Sequence, residues 1–217
     1  MSDRAEPTVV DETARVRRLM DKTAARYDRQ MGFWEKVLFG GESGRRWVCS
    51  QAEGEVLEIA IGTGRNLPYY SDNVRLTGIE LSEQMLQIAR ARAGQLGREA
   101  DLLLGDAQSL EFPDERFDTV VSTFTLCTIP DDRRAVAEVR RVLRPGGRFV
   151  LLEHVRSPAL PVRAVQRVLD PLTVRFEGDH LAREPLEHVK AEGFDVEHLK
   201  RSKWGIVERI SARKAAT

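Results

Sequence analysis

The sequence contains only two cysteines, Cys49 and Cys127, in 217 residues, which excludes a disulfide framework. The first ten residues include Asp3, Arg4 and Glu6 and do not have the pattern of a secretion signal. No window approaches the roughly 18 consecutive apolar residues that a membrane span needs. We therefore expect a protein of the reducing cytoplasm, in which any contact with a membrane is peripheral.

Glycine and proline are not in excess, with 16 and 9 residues, and no internal repeat or low-complexity tract is visible. Together with a hydrophobic fraction of 41%, this composition excludes a disordered chain and a collagen-like fibre. A chain of this length can bury a core within one compact domain.

Neither sign of charge is in excess, because 34 Lys and Arg residues balance 34 Asp and Glu residues. Residues 51–120 nevertheless carry a net charge of −7, and residues 121–217 carry +5. An acidic centre suits a cationic ligand, and the basic C-terminal part suits an anionic substrate or surface. Without a long Lys/Arg run, nucleic-acid binding is not expected.

Metal-ligand spacings are absent as well. The four histidines are His154, His180, His188 and His198, and none of them forms an HxxxH pair. The two cysteines lie far apart in the sequence, and Cys127 has no neighbouring base there. The sequence therefore predicts no metal site and a buried, apolar role for the Cys127 thiol.

Apolar residues in residues 8–38 have helical spacing, which predicts a helix broken near Gly32 and an N-terminal helical cap within residues 1–50. Short apolar runs then alternate with helical segments. The predicted strands are Val56–Ile61, Val74–Ile79, Ala100–Leu104, Thr119–Ser122 and Arg148–Glu153, and the predicted helices are Ser82–Leu96 and Asp131–Leu143. This alternation predicts an α/β fold with a parallel sheet covered on both faces.

The alternation ends after Glu153, within a main domain predicted to span residues 51–217. Residues 157–193 are predicted to form a helical lid insertion. Its helices are Val162–Leu169 and Ala182–Ala191, separated by Asp170-Pro171. The strands that follow are Asp195–Leu199 and Gly205–Ile210, which predict an antiparallel hairpin at the end of the sheet.

Two glycines, Gly62 and Gly64, lie where the first strand turns toward a helix, an arrangement that allows a ligand to approach the backbone closely. A dinucleotide fingerprint would need a third glycine at Leu67, and Glu58 would repel a pyrophosphate. No Lys-Ser/Thr pair follows the glycines, which argues against a nucleoside-triphosphate loop. A phosphate-free, cationic nucleoside fits this loop better.

Carboxylates end the first three strands of the predicted sheet, at Glu58, Glu80 and Asp106. Open α/β sheets bind ligands at the carboxyl ends of their strands. An acidic residue after the second strand can accept both ribose hydroxyls, and Asp106 could accept the exocyclic amine of adenine.

These elements resemble the class I S-adenosylmethionine-dependent methyltransferases from about Glu55 to Glu153. The motifs that carry the resemblance are Glu58-x-Ala60-x-Gly62-x-Gly64, Glu80-Leu81-Ser82-x-x-Met85-Leu86, Gly105-Asp106-Ala107, Phe117-Asp118 and Leu143-Arg144-Pro145-Gly146-Gly147. The family usually has glycine at the position of Ala60. Alanine at this position departs from the family pattern and slightly narrows the loop, but it does not remove the turn.

The resemblance implies a Rossmann-like, doubly wound, seven-stranded sheet and S-adenosylmethionine as the cofactor. The implied cofactor-binding residues are Glu58, Ala60, Gly62, Gly64, Asn66, Glu80, Leu81, Met85, Asp106, Ala107 and Thr123. In this scheme the glycine loop lies near the methionine moiety, Glu80 holds the ribose, and Asp106 recognises adenine. Thr123 would lie beside the sulfonium.

Segments outside this core are similar to narrower groups. Ala25-Arg26-Tyr27-Asp28 is similar to a signature of the ubiquinone and menaquinone C-methyltransferases. The segments Leu152–Val155, Val165–Pro171 and Gly178–Glu184 look more like phosphatidylethanolamine N-methyltransferases and animal thiol methyltransferases.

Methyl transfer from a sulfonium can rely largely on positioning and the exclusion of water. His154 is the first candidate for a base, against a simple strand-end role in which it satisfies a backbone carbonyl. His180 lies in a loop that could cover the site or form an ordinary turn. Tyr27 could close over the cofactor or the nucleophile, or could simply pack the N-terminal helix.

The segment Pro161–Leu172 has an apolar face formed by Val162, Val165, Val168, Leu169 and Leu172. We expect this face to form a wall of the pocket for an apolar substrate, and the alternative is contact with an anionic membrane surface.

The sequence thus predicts a methyltransferase for a small apolar or amphipathic acceptor, such as a phospholipid amine, a quinone-like ring, a thiol or a secondary metabolite. A catalytically silent S-adenosylmethionine-binding regulatory module is the alternative. A nicotinamide-dependent oxidoreductase is a third hypothesis, which the missing third glycine disfavours.

Overall fold

Seven strands form one sheet in a computed structural model of the protein, which describes residues 8–39 and 41–216. The strands are β1 (Glu55–Ile59), β2 (Arg75–Glu80), β3 (Asp101–Leu104), β4 (Phe117–Thr123), β5 (Leu143–His154), β6 (Asp195–Ser202) and β7 (Val207–Arg213). Their order across the sheet is β3-β2-β1-β4-β5-β7-β6. Strands β1 to β5 pair in parallel, and β7 runs antiparallel to both β5 and β6. The predicted α/β fold with a terminal antiparallel hairpin is confirmed.

Helices cover both faces of the sheet. The α-helices among the described residues are α1 (Val9–Trp34), α2 (Ser43–Ser50), α3 (Glu83–Leu96), α4 (Asp132–Val142), α5 (Leu160–Glu177) and α6 (Pro185–Ala191). Successive strand residues point to opposite faces, so Leu57 packs in a core with α4 and α6, whereas Val56 packs in a second core with α2 and α3. No helix within the described residues is long and apolar enough to span a membrane.

Side-chain caps fix the starts of two helices next to the carboxyl edge of the sheet. The hydroxyl of Ser82 accepts a hydrogen bond from the Met85 amide, and the Asp131 carboxylate accepts one from the Arg134 amide. Ser82 and Asp131 begin the two helices predicted from the sequence, and each acts as the N-cap of its helix.

Two predicted breaks in regular structure were wrong, and one strand begins earlier than predicted. Helix α1 runs through Gly32 and ends in a π-helical turn at Glu35–Phe39, because a single glycine costs a helix only about 1 kcal/mol. Helix α5 continues through Pro171 up to Gly178, which adopts a left-handed conformation and caps it. Strand β5 begins at Leu143 and contains the Pro145-Gly146-Gly147 segment, with a change of register against β4.

Residues 1–7 of the predicted cap, residues 1–50, lie outside the described part of the chain. The predicted insertion at residues 157–193 contains α5 and α6 and joins β5 to β6.

Candidate active site

The loop that follows β1 contains three residues with left-handed backbone conformations. Ala60, Gly62 and Gly64 have φ angles of 47°, 60° and 78°. A Cβ at Gly64 would lie 2.6 Å from Leu67 Cδ1 and 3.2 Å from Ala89 Cα, so glycine is required there. A Cβ at Gly62 would meet nothing within 4 Å, which leaves open space over the loop. At Ala60, the left-handed backbone costs about 1–2 kcal/mol.

Glu80, the last residue of β2, holds this loop through its buried carboxylate. Its Oε2 accepts the Gly62 amide at 2.9 Å, and its Oε1 accepts the Ser82 amide at 2.9 Å. Burial raises the pKa of Glu80 despite these bonds. Each carboxylate oxygen can accept more than one hydrogen bond, so Glu80 has the acceptor capacity that a vicinal diol needs.

A cavity of about 310 Å³ lies between the sheet edge and the first turns of α1. Leu81 and Asp106 line it from the sheet side, and Thr13 lines it from α1. Both Asp106 oxygens accept from Gln108 Nε2, at 3.0 and 3.1 Å, and that amide also donates to the Thr13 hydroxyl at 3.0 Å. Gln108 was missed by the sequence analysis, and it aims the Asp106 carboxylate.

Two of the residues expected to bind the cofactor are part of the packed interior. Met85 in the first turn of α3 is buried, and Ala107 is buried next to Asp106 in the sequence. Leu81 is only partly buried and lines the cavity. Met85 and Ala107 therefore support the cavity wall, and Leu81 and Asp106 face the cavity.

A buried polar network lies beneath the glycine loop. The Asn66 amide donates to Glu58 Oε1 at 2.8 Å and to the Thr123 hydroxyl at 2.9 Å. Arg45 donates to Asn66 Oδ1 at 2.9 Å, and the Tyr70 hydroxyl donates to Glu58 Oε2 at 2.9 Å. Burial raises the pKa of Glu58 to about 7. The side-chain groups of Glu58, Asn66 and Thr123 are thus engaged with protein partners.

Helix α1 crosses the carboxyl edge of the sheet and is fastened to its loops by polar contacts. The Thr63 hydroxyl donates to Asp28 Oδ1 at 2.5 Å, and the Ser82 hydroxyl donates to Asp21 Oδ1 at 2.6 Å. Arg92 in α3 also pairs with Asp28. The predicted N-terminal cap therefore covers the loops that follow β1 and β2.

Arg65 adds a cation to this region that the sequence analysis missed, although it directly follows Gly64. Its Nη2 donates to Glu35 Oε2 at 2.6 Å, and its Nη1 donates to the Asp28 carbonyl at 3.2 Å. Its Nε is buried and has no hydrogen-bond partner. Because an unpaired buried donor is costly, Arg65 is suited to receive an anionic group such as a carboxylate.

Tyr27 in α1 faces the middle of this region. Burial raises the pKa of its phenol, and Arg45, Cys127 and Glu80 are the nearby charged or ionisable groups. Tyr27 is therefore within electrostatic range of both Glu80 and Cys127.

At the end of β5, His154 is buried with its Nε2 3.0 Å from Asp179 Oδ1. Burial by itself would lower the pKa of His154, but the Asp179 carboxylate more than offsets this effect and raises it. The Cys127 thiol also contacts Asp179. His154 therefore has a carboxylate partner in place of the backbone carbonyl considered from the sequence.

His180 follows Asp179 in the loop after α5. Its backbone amide donates to the Cys127 carbonyl at 2.9 Å. Burial and the neighbouring Arg183 lower the pKa of the imidazole. The loop after α5 thus brings His180 to the same end of the sheet as His154, although the two residues are far apart in the sequence.

Helix α5 has no buried residue, although its ends are anchored. Gln166 Nε2 donates to the carbonyls of Val155 and Leu181, both at 2.9 Å. Arg15 of α1 donates to the Val174 carbonyl at 3.0 Å. The exposed large apolar residues of α5 are Leu160, Val165, Val168, Leu169, Leu172 and Phe176. Most of the face expected to form a pocket wall is therefore turned to the outside.

Comparisons with known proteins show which family and fold this chain resembles. A family described as "Methyltransferase domain" matches residues 57–151. A phosphatidylethanolamine N-methyltransferase of Cereibacter sphaeroides is 41% identical over 63% of this chain and 68% of the relative. A human thiol S-methyltransferase is 30% identical over 77% of this chain and 70% of the relative. A methyltransferase structure from Thermotoga maritima has the same fold, with a TM-score of 0.69 and 23% identity, over 91% of this chain and 99% of that one.

Proposed function

The chain belongs to the S-adenosylmethionine-dependent methyltransferases, and we propose that it methylates the amine of a phospholipid. It is an enzyme whose cofactor is S-adenosylmethionine. The observation that carries the choice of acceptor is the exposed apolar face of α5, next to the end of β5. The likeness to a phosphatidylethanolamine N-methyltransferase supports the same choice.

S-adenosylmethionine supplies a methyl group on a positively charged sulfur, which is already activated for displacement. We assign its ribose hydroxyls to the open acceptor sites of Glu80 and its adenine to the cavity lined by Leu81 and Asp106. The methionine carboxylate is assigned to Arg65, whose buried Nε needs an acceptor. The open space over Gly62 lets the ligand approach the loop backbone.

In this proposal the remaining predicted residues shape the floor of the site. Glu58, Asn66 and Thr123 hold one another and keep the glycine loop in place. Ala60 and Gly64 give the loop its left-handed turns. These residues contribute by positioning the ligand and take no part in the making or breaking of bonds.

The protein can catalyse the transfer by aligning the acceptor and excluding water. Helix α1 carries Tyr27 across the site, where its protonated phenol can close over the reacting groups. A phospholipid ammonium must lose a proton before its nitrogen can attack, and His180 is the candidate to receive it. His154 is a weaker candidate because its Nε2 already faces Asp179.

The exposed face of α5 supports a lipid acceptor through its composition. Its apolar stripe can insert at the boundary between headgroups and acyl chains, and Arg167 and Arg175 can attract anionic headgroups. Trp204 is 69% exposed beside the start of this helix, where Ser157 donates to its carbonyl at 2.6 Å. Aromatic side chains favour the membrane interface.

The acceptor is tested with purified protein, S-adenosylmethionine carrying an isotopically labelled methyl group, and defined vesicles. We expect label in the phospholipid when vesicles contain phosphatidylethanolamine and phosphatidylglycerol, and none when phosphatidylcholine replaces phosphatidylethanolamine. A cell extract is then separated into lipid, polar-metabolite and macromolecular fractions. Label only in quinones, or only in the polar fraction, contradicts the phospholipid proposal. S-adenosylhomocysteine binding with no transfer in any fraction would favour a silent binding module.

Docking by α5 is tested with Leu172→Asp, which places a charge in the middle of the exposed stripe. We expect at least a tenfold loss of binding to anionic vesicles, measured by sedimentation, with S-adenosylhomocysteine affinity unchanged. Leu96→Asp is the matched control, because Leu96 is another exposed helical leucine at the end of α3. Equal vesicle binding by the two variants would contradict a role for α5.

A further inference from the structure

Three metal-binding side chains from different parts of the chain meet at the end of β5. Cys127 lies in the loop after β4, His154 ends β5, and Asp179 lies in the loop after α5. Their ligand atoms all lie within 4.8 Å of one another. Cys127 is 3% exposed, and His154 is 6% exposed. The cluster is therefore interior, unlike the acidic groups that are common on protein surfaces.

The hydrogen bonding within the cluster is incomplete. Asp179 Oδ1 lies 3.0 Å from His154 Nε2, but this ion-pair contact does not have the geometry of a hydrogen bond, and the buried oxygen has no other hydrogen-bond partner. A buried carboxylate oxygen normally has a partner, and leaving it unpaired costs free energy. A cation bound between Asp179, His154 and Cys127 would satisfy the oxygen together with the imidazole nitrogen and the sulfur.

We propose that Cys127, His154 and Asp179 bind a divalent transition-metal ion, for which zinc is the best match. Zinc accepts thiolate, imidazole and carboxylate ligands together, and sites with three protein ligands keep a fourth position open. Magnesium and calcium prefer oxygen ligands and would not use the cysteine. The inference concerns this cluster alone and does not depend on the identity of the methyl acceptor.

The charges of such a site balance. On binding, the Cys127 thiol releases its proton to solvent, and the sulfur donates an electron pair to the metal. The His154 imidazole binds in its neutral form, so any proton on Nε2 is released as well. One thiolate and the Asp179 carboxylate then neutralise a divalent cation, which limits the cost of burying the ion.

Contacts around the cluster hold the two ligand-bearing loops against each other. The His180 amide donates to the Cys127 carbonyl at 2.9 Å. Arg183 donates to the carbonyls of Leu126 and Ile129, at 2.6 and 2.5 Å. The buried Glu153 carboxylate accepts the Thr125 amide at 3.0 Å. Such surrounding contacts orient ligands before a metal binds.

The test is a titration of metal-free, full-length protein with Co²⁺ under reducing conditions, followed by absorption spectroscopy. We expect one equivalent to bind with the visible bands of a tetrahedral ion and a thiolate-to-cobalt charge-transfer band. Cys127→Ser should abolish the charge-transfer band. Cys49→Ser should retain it, because Cys49 is also buried and free but lies outside the cluster.

The other ligands are tested in the same titration. His154→Ala and Asp179→Asn should each weaken Co²⁺ binding at least tenfold, and Zn²⁺ should displace Co²⁺ from the unaltered protein. Circular dichroism establishes that each variant is folded, and Cys127→Ala provides a second variant if Cys127→Ser is not. The proposal is overturned if the unaltered protein binds no Co²⁺. It is also overturned if folded Cys127 variants keep the charge-transfer band.

Discussion

The Gly62 amide donates a hydrogen bond to Glu80 Oε2 across 2.9 Å, although the two residues are 18 positions apart. The other oxygen of Glu80 accepts the Ser82 amide at the start of α3. One carboxylate therefore joins the loop after β1 to the helix after β2. Because a carboxylate has about four acceptor sites, the group that shapes the loop can also hold the ribose.

Glu80→Gln is expected to weaken S-adenosylhomocysteine binding about tenfold, within the 1–3 kcal/mol that a charge-assisted hydrogen bond contributes. The amide has only one acceptor oxygen and cannot serve two backbone amides and a diol together. Isothermal titration calorimetry measures the affinity, and thermal melting establishes that the variant is folded. Glu83→Gln, on the first turn of α3, is the control and should bind normally. Normal binding by Glu80→Gln would contradict the assignment of the ribose hydroxyls to Glu80.

Arg65→Lys tests the assignment of the methionine carboxylate. Lysine keeps the charge but lacks the Nε donor and the planar fork of arginine. We expect about tenfold weaker binding of S-adenosylhomocysteine, a loss of about 1.4 kcal/mol. Binding of 5′-methylthioadenosine, which has no carboxylate, should stay within twofold. Equal losses for both ligands would mean that Arg65 serves only to fasten α1 through Glu35 and Asp28.

The local part of this architecture could be predicted from the sequence. Apolar runs identify strands, and a carboxylate after a parallel strand must lie at the ligand-binding edge, which is where Glu80 is found. The break near Gly32 was wrongly predicted because one glycine costs a helix only about 1 kcal/mol, and the chain also stays helical through Pro171.

Contacts between distant segments could not be predicted in this way. Asp28 meets Thr63 and Arg92, which are 35 and 64 positions away, and only the packing of α1 brings them together. The cluster of Cys127, His154 and Asp179 could not be predicted either, because its members are far apart in the sequence. Their proximity depends on the loop that follows α5 and returns to the end of β5.

Ala60→Gly is expected to stabilise the protein by up to about 1 kcal/mol. The substitution relieves the left-handed strain of Ala60, which costs about 1–2 kcal/mol, while glycine loses about 0.5–1 kcal/mol more conformational entropy on folding. Urea denaturation measures the difference. Ala91→Gly in the exposed interior of α3 is the control and should destabilise by about 1 kcal/mol. Similar losses in both variants would show that the loop stores no such strain.

Glu58 should give the protein a characteristic dependence of stability on pH. Burial raises its pKa from 4.5 to about 7, so between these values the folded protein holds a proton that the unfolded chain releases. The stabilisation linked to this proton is complete below pH 4.5 and is lost as the pH rises through 7.

Glu58→Gln is neutral throughout this interval and does not show this loss. The melting temperature of the variant minus that of the unaltered protein should therefore be larger at pH 8 than at pH 5, by about 5–10 °C for a chain of this size. Thermal melts of the two proteins at several pH values measure the change. Glu111→Gln, at an exposed position, is the control and should shift the melting temperature equally at all pH values. The proposal is contradicted if the difference in melting temperature between Glu58→Gln and the unaltered protein does not vary with pH. In that case Glu58 is charged in the folded state, where Asn66 and Tyr70 hold it as an ordinary carboxylate.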